Sequence, residues 1–580
     1  MDEPLYTETK FLRLDLPEEG FRTERGGVLR RVDVAYETCG TLSPARDNVV
    51  FICHALTGDS HVAGRHRGDA KDTGWWANMV RPGGGIDLSR HFVVCANILG
   101  GCKGTTGPSS LDPDTGRPYG SAFPSLTVGD VAEIHHRFLV QLGFSRVYAI
   151  VGGSFGGMQT MEIGIRYPDF AEKLVCIASG SSLTTQALAF DVVGRGAIEK
   201  DPDFRGGDYY GGPAPQVGLA QARKLAHITY LSEEMMKEKF GRRRRERVAE
   251  LENKSAFEVE SYLEHQGRKF IGRFDANSYL RITEAMDNYD MAGDGTLDER
   301  LAAIRARILV VSLSGDWLFL PEQSAEIVRA LHAGKKDVSY FPLEAPAGHD
   351  AFLTHIGELQ KVLAGFLRQS PDRPAPKADE DHLRDYDTVE KLIPENARTI
   401  IDLACGDGEL LNFIAARRPE ADCSGIDIDA ESGMRLLAAG HNASIADINE
   451  GFGHIPDRTY DCAILSESLQ VLHRPDKTIE QLLRIAPVVI VSFPNFGMWK
   501  VRGELFFTGR MPVTKRLPYQ WYDTPNIRCL TLADFRALCR EHGLYIEKMH
   551  CLATLTLSKV LNFLGFKNLG SSRVIARIRR

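Results

Sequence analysis

No stretch of this sequence approaches the roughly 18 uninterrupted apolar residues that a membrane-crossing helix needs, which argues against an integral membrane protein built from helices. The opening Met1-Asp-Glu-Pro also lacks the basic segment and apolar run of a secretory signal, so a cytoplasmic location is the default expectation. No Cys-x-x-Cys pair occurs among the eleven cysteines. Their number is odd, and Cys53, Cys95, Cys176 and Cys462 sit inside apolar segments, the pattern of buried thiols in a reducing compartment. Neither disulfides nor a metal site is expected from them. Positive charge is not in excess either: a net charge of -7 argues against broad nucleic-acid binding. The two locally basic runs, Arg242 to Arg245 and Arg573 to Arg580, read as solvated surface.

What is present is too long for one core, since 580 residues exceed the size at which single domains stop growing. From Gly40 to about Leu367, short β-branched runs (Asn48 to Cys53, His91 to Ala96, Val147 to Val151, Leu174 to Ala178, Arg307 to Ser312) alternate with helical periodicity. That alternation implies a largely parallel sheet flanked by helices. It stops between Ser182 and Leu301, where glycine- and proline-rich loops (Arg205 to Pro215) and charged helical segments (Ser232 to Glu264) read as a lid inserted over the sheet. Ser370 to Asp381 is rich in proline and charge and has no apolar periodicity, the composition of an exposed linker. The βα alternation then restarts at Thr399-Ile-Ile-Asp-Leu. The division expected is a first domain over 1–369 with its lid at about 182–301, a linker at 370–383, and a second domain over 384–580.

Val147-Tyr-Ala-Ile-Val-Gly-Gly-Ser154-Phe-Gly-Gly157 sets a serine on a G-x-S-x-G turn after a strand, the pattern of a nucleophile elbow. A serine nucleophile needs a basic histidine and an orienting carboxylate, which in the α/β-hydrolase fold follow in the order Ser, Asp or Glu, His. Asp316 lies just past the strand Arg307 to Leu313, and His349 follows the strand-like run Val338 to Pro342, so the order is right. The oxyanion hole requires the N–H after the nucleophile and a second from an earlier strand-to-helix loop; Phe155 and Leu56 are the candidates. His54, placed before the serine, reads as structural. These features serve an esterase or thioesterase as well as an acyltransferase.

At this point the sequence resembles the homoserine O-acetyltransferases of methionine biosynthesis, within the α/β-hydrolase superfamily. The resemblance is carried by Val32 to Leu42, His54-Ala-Leu-Thr-Gly-Asp-Ser-His61, Trp75-Trp76, Asn97 to Pro108, Gly152 to Gln159 and Arg223 to Ser232, and it covers about Tyr6 to Leu367. It implies ping-pong transfer of an acyl group from acyl-CoA through Ser154 to the hydroxyl of L-homoserine, with no further cofactor, and a homodimer formed through the lid. It also implies that Arg223 holds the homoserine carboxylate and Asp350 its ammonium, a pairing that suits a guanidinium fork and a carboxylate. Relatives using succinyl-CoA tend to carry arginine two positions after the acid; here that position is Leu318. An apolar residue gives a second carboxylate no partner, so acetyl-CoA is the expected donor and succinyl-CoA the alternative.

In the second domain, Ile400-Ile-Asp402-Leu-Ala-Cys-Gly406-Asp-Gly408 is a glycine-rich turn after a strand, Asp427 ends the next strand about twenty residues on, and Asp447 in Ala446-Asp447-Ile-Asn-Glu450 is a third acidic candidate, suited to an adenine amine. The pattern suits a nucleoside ligand whose ribose meets an acidic side chain. It looks like the S-adenosylmethionine site of class I, Rossmann-like methyltransferases, with Asp402, Gly406, Gly408, Asp427 and Asp447 as its candidate residues. The rest of this half resembles MetW, a methyltransferase-like family, through Ile464 to Leu472, Val491 to Trp499, Gly509 to Lys515 and Leu517 to Asn526. That resemblance implies support of the acyltransferase and leaves an active methyltransferase as the alternative. Tyr386 and the cluster Tyr519 to Tyr522 read either as the lining of an acceptor pocket or, more commonly for aromatic clusters, as core or interface.

Overall fold

The computed structural model describes residues 5–68, 72–244, 257–373, 379–513, 519–553 and 555–580. Met1 to Pro4, Arg245, linker residues 374–378, part of the charged lid segment (245–256), and Thr514, Lys515, Leu517 and Pro518 of the second domain's resemblance lie outside the described residues. The chain forms two compact units, Met1–Leu367 and Arg368–Arg580.

The first unit is built on an eight-stranded sheet. Its strands are β1 (Lys10–Arg13), β2 (Asp33–Cys39), β3 (Val49–Cys53), β4 (Phe92–Ala96), β5 (Val147–Gly153), β6 (Ala171–Ile177), β7 (Arg307–Leu313) and β8 (Val338–Leu343), in the order β1-β2-β4-β3-β5-β6-β7-β8. Only β2 runs antiparallel to its neighbours β1 and β4; every other pairing is parallel. β3 and β5 are buried along their whole length, which is why both read as continuous apolar runs rather than alternating ones. Helices α1 (Val128–Gln141) and α2 (Phe155–Arg166) pack on each other and α2 lies against β5 and β6. Between β6 and β7 the alternation gives way, as the sequence leads one to expect, to helices: α3 (Thr185–Glu199), α4 (Gln216–Tyr230), α5 (Glu233–Lys239), α6 (Glu258–Ile271) and α7 (Ala276–Asp287). This is the α/β-hydrolase fold.

The second unit carries a seven-stranded sheet of β9 (Thr399–Leu403), β10 (Asp422–Asp427), β11 (Asn442–Ile445), β12 (Cys462–Ser466), β13 (Val489–Pro494), β14 (Tyr545–Leu552) and β15 (Arg573–Arg579). Their order is β11-β10-β9-β12-β13-β15-β14, parallel except for β15, which is antiparallel to both neighbours. The order reverses at β9, so a crevice opens at the carboxyl ends of β9 and β12, the position where open α/β sheets bind ligands.

β15 corrects one sequence expectation. Arg573 to Arg580 is not a solvated run: Arg573 and Arg577 are 3% and 8% exposed, because the strand alternates arginine with Val574, Ala576 and Ile578 and is covered on both edges. Arg577 donates to Glu547 at 2.6 and 2.7 Å and to the Leu392 carbonyl at 3.0 Å, while Arg573 pairs with Asp385 and Glu467. The described residues of the other basic run, Arg242 to Arg244, are exposed. The linker's described start is exposed too, yet Asp372 and Arg373 bond the carbonyls of Ala438 and Ala439 at 2.7 and 2.8 Å.

The turn from β5 into α2 is the tightest in the first unit. Ser154 has φ 58° and ψ -126°, a region that favours glycine and costs about 1–3 kcal/mol for other residues. A Cβ on Gly152 would lie 2.0 Å from the Gly156 carbonyl oxygen, and one on Gly156 would lie 2.1 Å from the Cys53 oxygen of β3. Opposite effects on stability follow. Ser154→Gly should raise the first unit's Tm by about 2 °C while removing the nucleophile, and Gly156→Ala should lower stability by about 1–3 kcal/mol through overpacking, both read by thermal denaturation followed by circular dichroism.

Candidate functional site

Ser154, Asp316 and His349 meet at the carboxyl ends of β5, β7 and β8, all three almost fully buried. Asp316 Oδ1 accepts hydrogen bonds from the backbone N–H groups of Leu318 and Phe319, both 2.9 Å. Its Oδ2 faces His349 Nδ1 at 2.6 Å. The carboxylate is thus held by the turn behind it and holds the imidazole in front. Phe319 stacks on the His349 ring at 5.5 Å between centroids and Phe352 meets it edge-on at 5.7 Å. Burial alone would lower the His349 pKa, but the adjacent Asp316 charge and hydrogen bond prevail and raise it above the ordinary histidine value.

Ser154 and His349 open into a cavity of about 200 Å³ lined also by Leu56, Asp59, Arg223, Leu318 and Asp350. Phe155 opens α2, so its N–H belongs to the first turn, whose donors have no intrahelical partner. Leu56 sits on the loop after β3 and lines the cavity, which Phe155 does not. His54 is placed differently. The Ile98 N–H donates to its Nε2 at 3.3 Å, which leaves the proton on Nδ1, 2.8 Å from the Ala55 carbonyl. With both nitrogens engaged and burial lowering its pKa, His54 is a structural histidine. Asn97 in the glycine-rich loop after β4 accepts from the Ser60 N–H at 3.1 Å, so that loop braces the cavity wall and is absent from the lining.

Arg223, on α4, donates to Thr57 Oγ1 at 3.3 Å and lies over the rings of Phe270 and Tyr230. Sequence reasoning missed its neighbour: Arg273, in the turn between α6 and α7, donates to the Thr57 carbonyl at 2.9 Å. Burial and the repulsion of Arg223 lower the Arg273 pKa. Asp350 has its carboxyl pKa raised by burial, against the pull of His349 and Arg223. Asp191 on α3, also missed, lines the same cavity. Burial and the nearby Asp287 charge push its carboxyl well above the usual range. Two guanidinium groups and three carboxyl groups (Asp59, Asp191, Asp350) share one small enclosure, so charges of both signs face the space beside Ser154. The missed residues lie on a lid helix (Asp191) and a turn between lid helices (Arg273), where charges carry no sequence periodicity that separates an inward side chain from an outward one.

In the second unit a cavity of about 280 Å³ at the carboxyl ends of β9 and β12 is lined by Tyr386, Asp402, Cys405, Glu409, Glu467 and Arg573, among others. Asp402 is buried and its Oδ1 has no hydrogen-bond partner; burial and then Asp427 raise its pKa well above the carboxylate range. The turn after it carries Gly406 at φ 51° and Gly408 at φ 75°. A Cβ on Gly406 would meet nothing within 4 Å, whereas one on Gly408 would lie 2.4 Å from Leu436, so Gly406 borders open space and Gly408 a packed helix. Asp427 and Asp447 are placed differently from the sequence expectation: neither lines this cavity. Asp427 instead accepts from the Gly406 N–H at 2.7 Å and the Asp429 N–H at 3.0 Å, and Asp447 accepts from the backbone and side chain of Asn449 at 2.8 and 3.0 Å. Tyr386 lines the cavity, but Tyr519, Trp521 and Tyr522 are exposed, neither core nor pocket lining.

Comparison with known proteins follows the same division. A family model described as alpha/beta hydrolase fold matches residues 48–356, and one described as methionine biosynthesis protein MetW matches residues 383–576. The bifunctional methionine biosynthesis protein MetXA/MetW of Rhodopirellula baltica is 39% identical over 94% of this chain and 89% of its own length. The homoserine O-acetyltransferase of Methanococcoides burtonii is 44% identical over 69% of this chain and 83% of its own. Among solved structures, a homoserine O-acetyltransferase from Bacillus anthracis covers 63% of this chain and 99% of its own, at a TM-score of 0.59 and 27% identity. Esterase E22 covers 62% and 100%, at 0.58 and 26%.

The Asp316–His349 contact sets a titration. The His349 imidazole should titrate above the usual value of about 6.5, and Asp316→Asn should lower it, because burial is then opposed by the Asp350 charge alone; NMR titration of the ring checks this, and an unchanged pKa in the variant would refute the assignment of cause.

Proposed function

The chain belongs to the family of bifunctional MetXA/MetW methionine biosynthesis proteins, its first unit is a homoserine O-acetyltransferase, and on that premise we propose that it moves the acetyl group of acetyl-CoA to the hydroxyl of L-homoserine through an acyl-Ser154 intermediate. His349 Nε2 takes the Ser154 proton as Oγ attacks the thioester carbonyl; the tetrahedral oxyanion is met by the N–H groups of Phe155 and Leu56, and the proton passes to the departing CoA thiolate. In the second half His349 Nε2 takes the proton of the homoserine hydroxyl as that oxygen attacks the acyl carbonyl, and gives it to Ser154 Oγ as the bond from Oγ to the acyl carbon breaks. Asp316 holds the imidazole tautomer and stabilises the imidazolium. Homoserine's carboxylate is assigned to Arg223, with Arg273 beside it, and its ammonium to Asp350.

The observation that carries this reading is the cavity's charge. Arg223 and Arg273 repel each other in a buried site, and an incoming carboxylate relieves that repulsion, while an ammonium suits the Asp350 side. A plain ester would use none of these groups, which is why transfer is preferred to hydrolysis although an esterase shares the fold at nearly equal likeness. Leu318 beside the acid favours the acetyl over the succinyl donor. A homodimer is part of the proposal and is checked by sedimentation.

For the second unit we propose S-adenosylmethionine binding in the cavity at β9 and β12. The ligand supplies a cationic sulfonium and, if transfer occurs, a methyl group. The unpartnered Asp402 Oδ1 suits the ligand's ammonium, and the open Gly406 turn admits its backbone-close approach. Asp427, already bonded to two N–H groups, retains lone pairs for a ribose hydroxyl; Asp447 is the candidate for the adenine amine only after its loop moves. Binding without turnover would make this unit a regulatory module of the acyltransferase, held near it by the tether.

Three outcomes are expected. Sustained CoA release from acetyl-CoA, beyond the one equivalent per enzyme that acylation of Ser154 liberates, should require homoserine, favour acetyl- over succinyl-CoA, and fall by about 10⁴-fold or more in Ser154→Ala; sustained release without homoserine would point to a hydrolase. The acid limb of kcat/KM should lie above pH 6.5, because activity needs neutral His349 and is lost as pH falls through its raised pKa. Calorimetric titration should show S-adenosylmethionine binding that Asp402→Asn weakens, and cutting the chain near Ala375 should remove any effect of that ligand on acyl transfer.

A further inference from the structure

Away from the catalytic cavity, β2 and the loop after β3 bring together Glu37, His61, His66 and Asp72. Glu37 is 2% exposed and His61 8%, so both are taken out of water, while His66 and Asp72 close the outer side. The two imidazole rings lie 3.9 Å apart between two carboxylates. Glu37 Oε2 is 2.9 Å from His61 Nδ1 and its Oε1 is 2.8 Å from His66 Nε2. Asp72 Oδ2 is 2.6 Å from His66 Nδ1. His61 Nε2 is buried without a hydrogen-bond partner, and Asp72 Oδ1 lies 3.8 Å from it.

We propose that these four residues form a binding site for a divalent transition cation of the zinc class. Two imidazoles and two carboxylates are a donor set that suits zinc. The potential ligand atoms of Glu37, His61 and His66 all lie within 4.8 Å of one another, and tetrahedral coordination at 2.0–2.1 Å requires them to settle about 3.3 Å apart, a movement within reach of side-chain rotation. The buried, unpartnered His61 Nε2 is the independent sign: an entering cation displaces any proton there and gives that nitrogen a partner. Thr9 Oγ1 donates to Glu37 Oε1 at 2.9 Å and Thr7 Oγ1 lies 3.3 Å from His61 Nδ1, supplying the outer contacts that orient ligands.

The cation's place in the fold gives it a consequence. The His61 N–H donates to Asp59 Oδ1 at 3.1 Å, and Trp75 Nε1 donates to the Asp59 carbonyl at 2.8 Å; both Asp59 and Trp75 line the catalytic cavity. His66 itself sits on a short strand paired with Tyr6–Thr7. A cation here clamps the loop that carries Leu56 and Thr57 to β2, acting on the reaction only by positioning.

The test uses the full chain, stripped with a chelator and titrated with zinc chloride, with bound metal measured by mass spectrometry and stability by thermal melting. One zinc per chain is expected, with Tm raised by about 5 °C at saturating metal. The variant His66→Ala should lose at least about 100-fold in zinc affinity with the chelated protein's fold retained by circular dichroism, Glu37→Gln should behave alike, and His349→Asn should keep the zinc. Absence of stoichiometric zinc in the wild type, or equal zinc in wild type and His66→Ala, or loss of it in His349→Asn, would overturn the proposal and leave a proton-bridged cluster.

Discussion

The first unit is organised by the close approach of three backbones at Ser154. β3, β5 and α2 converge there without room for a Cβ at Gly152 or Gly156, and the convergence leaves Ser154 in a backbone conformation that a serine does not otherwise adopt. Strain of this kind persists only where surrounding packing over-determines it. Here the packing is the buried pair β3 and β5, whose every residue is inaccessible. The same convergence places Ser154 at the wall of the cavity, at the first turn of α2. Moving any one of the three backbones would shift Ser154 against that wall, so packing and the geometry of the cavity are tied at this turn.

How much of this was legible follows from where each residue sits. Ser154, Asp316 and His349 stand at strand ends, and strands announce themselves as apolar runs, so their placement around one site was legible from their order along the chain. The lid residues do not have that advantage. Arg273 and Asp191 lie on helices and turns whose polar residues look alike in sequence, and only the packing of α3, α4 and α6 decides which of them face inward. Arg573 and Arg577 show the opposite failure. A basic carboxyl-terminal run has the composition of solvated surface, yet alternation with Val574, Ala576 and Ile578 is a strand signal, and strand pairing on both sides outweighed the charge. Burial lowers the Arg573 pKa to about 10, and its pairing with Asp385 and Glu467 offsets the cost of removing a guanidinium from water.

The two nucleotide-type aspartates illustrate a subtler limit. A carboxylate at the end of the second strand of such a sheet is placed by topology, but its partner is not. In this chain Asp427 caps the glycine turn that follows β9 through the Gly406 N–H, so it shapes the turn before any ligand arrives. The group left with unmet hydrogen-bonding capacity is Asp402, on the strand itself. A buried carboxyl without a partner is costly, and the cost is removed by a cationic ligand in the adjacent space. Occupation by a cation would draw the Asp402 proton off and tie binding to pH in the direction of weaker affinity as pH falls.

Charge in the catalytic cavity follows the same logic with opposite sign. Arg223 and Arg273 both donate to Thr57, one to its hydroxyl and one to its carbonyl, so a single residue on the loop after β3 holds two cations against the wall opposite the triad. That loop is also where Leu56 stands. The Thr57 contacts and the Leu56 backbone thus share one short segment between β3 and His61, and that segment is braced at both ends: by His54 at the strand side, and at the other by Asn97, which accepts from the Ser60 N–H, and by the Glu37–His61–His66 cluster.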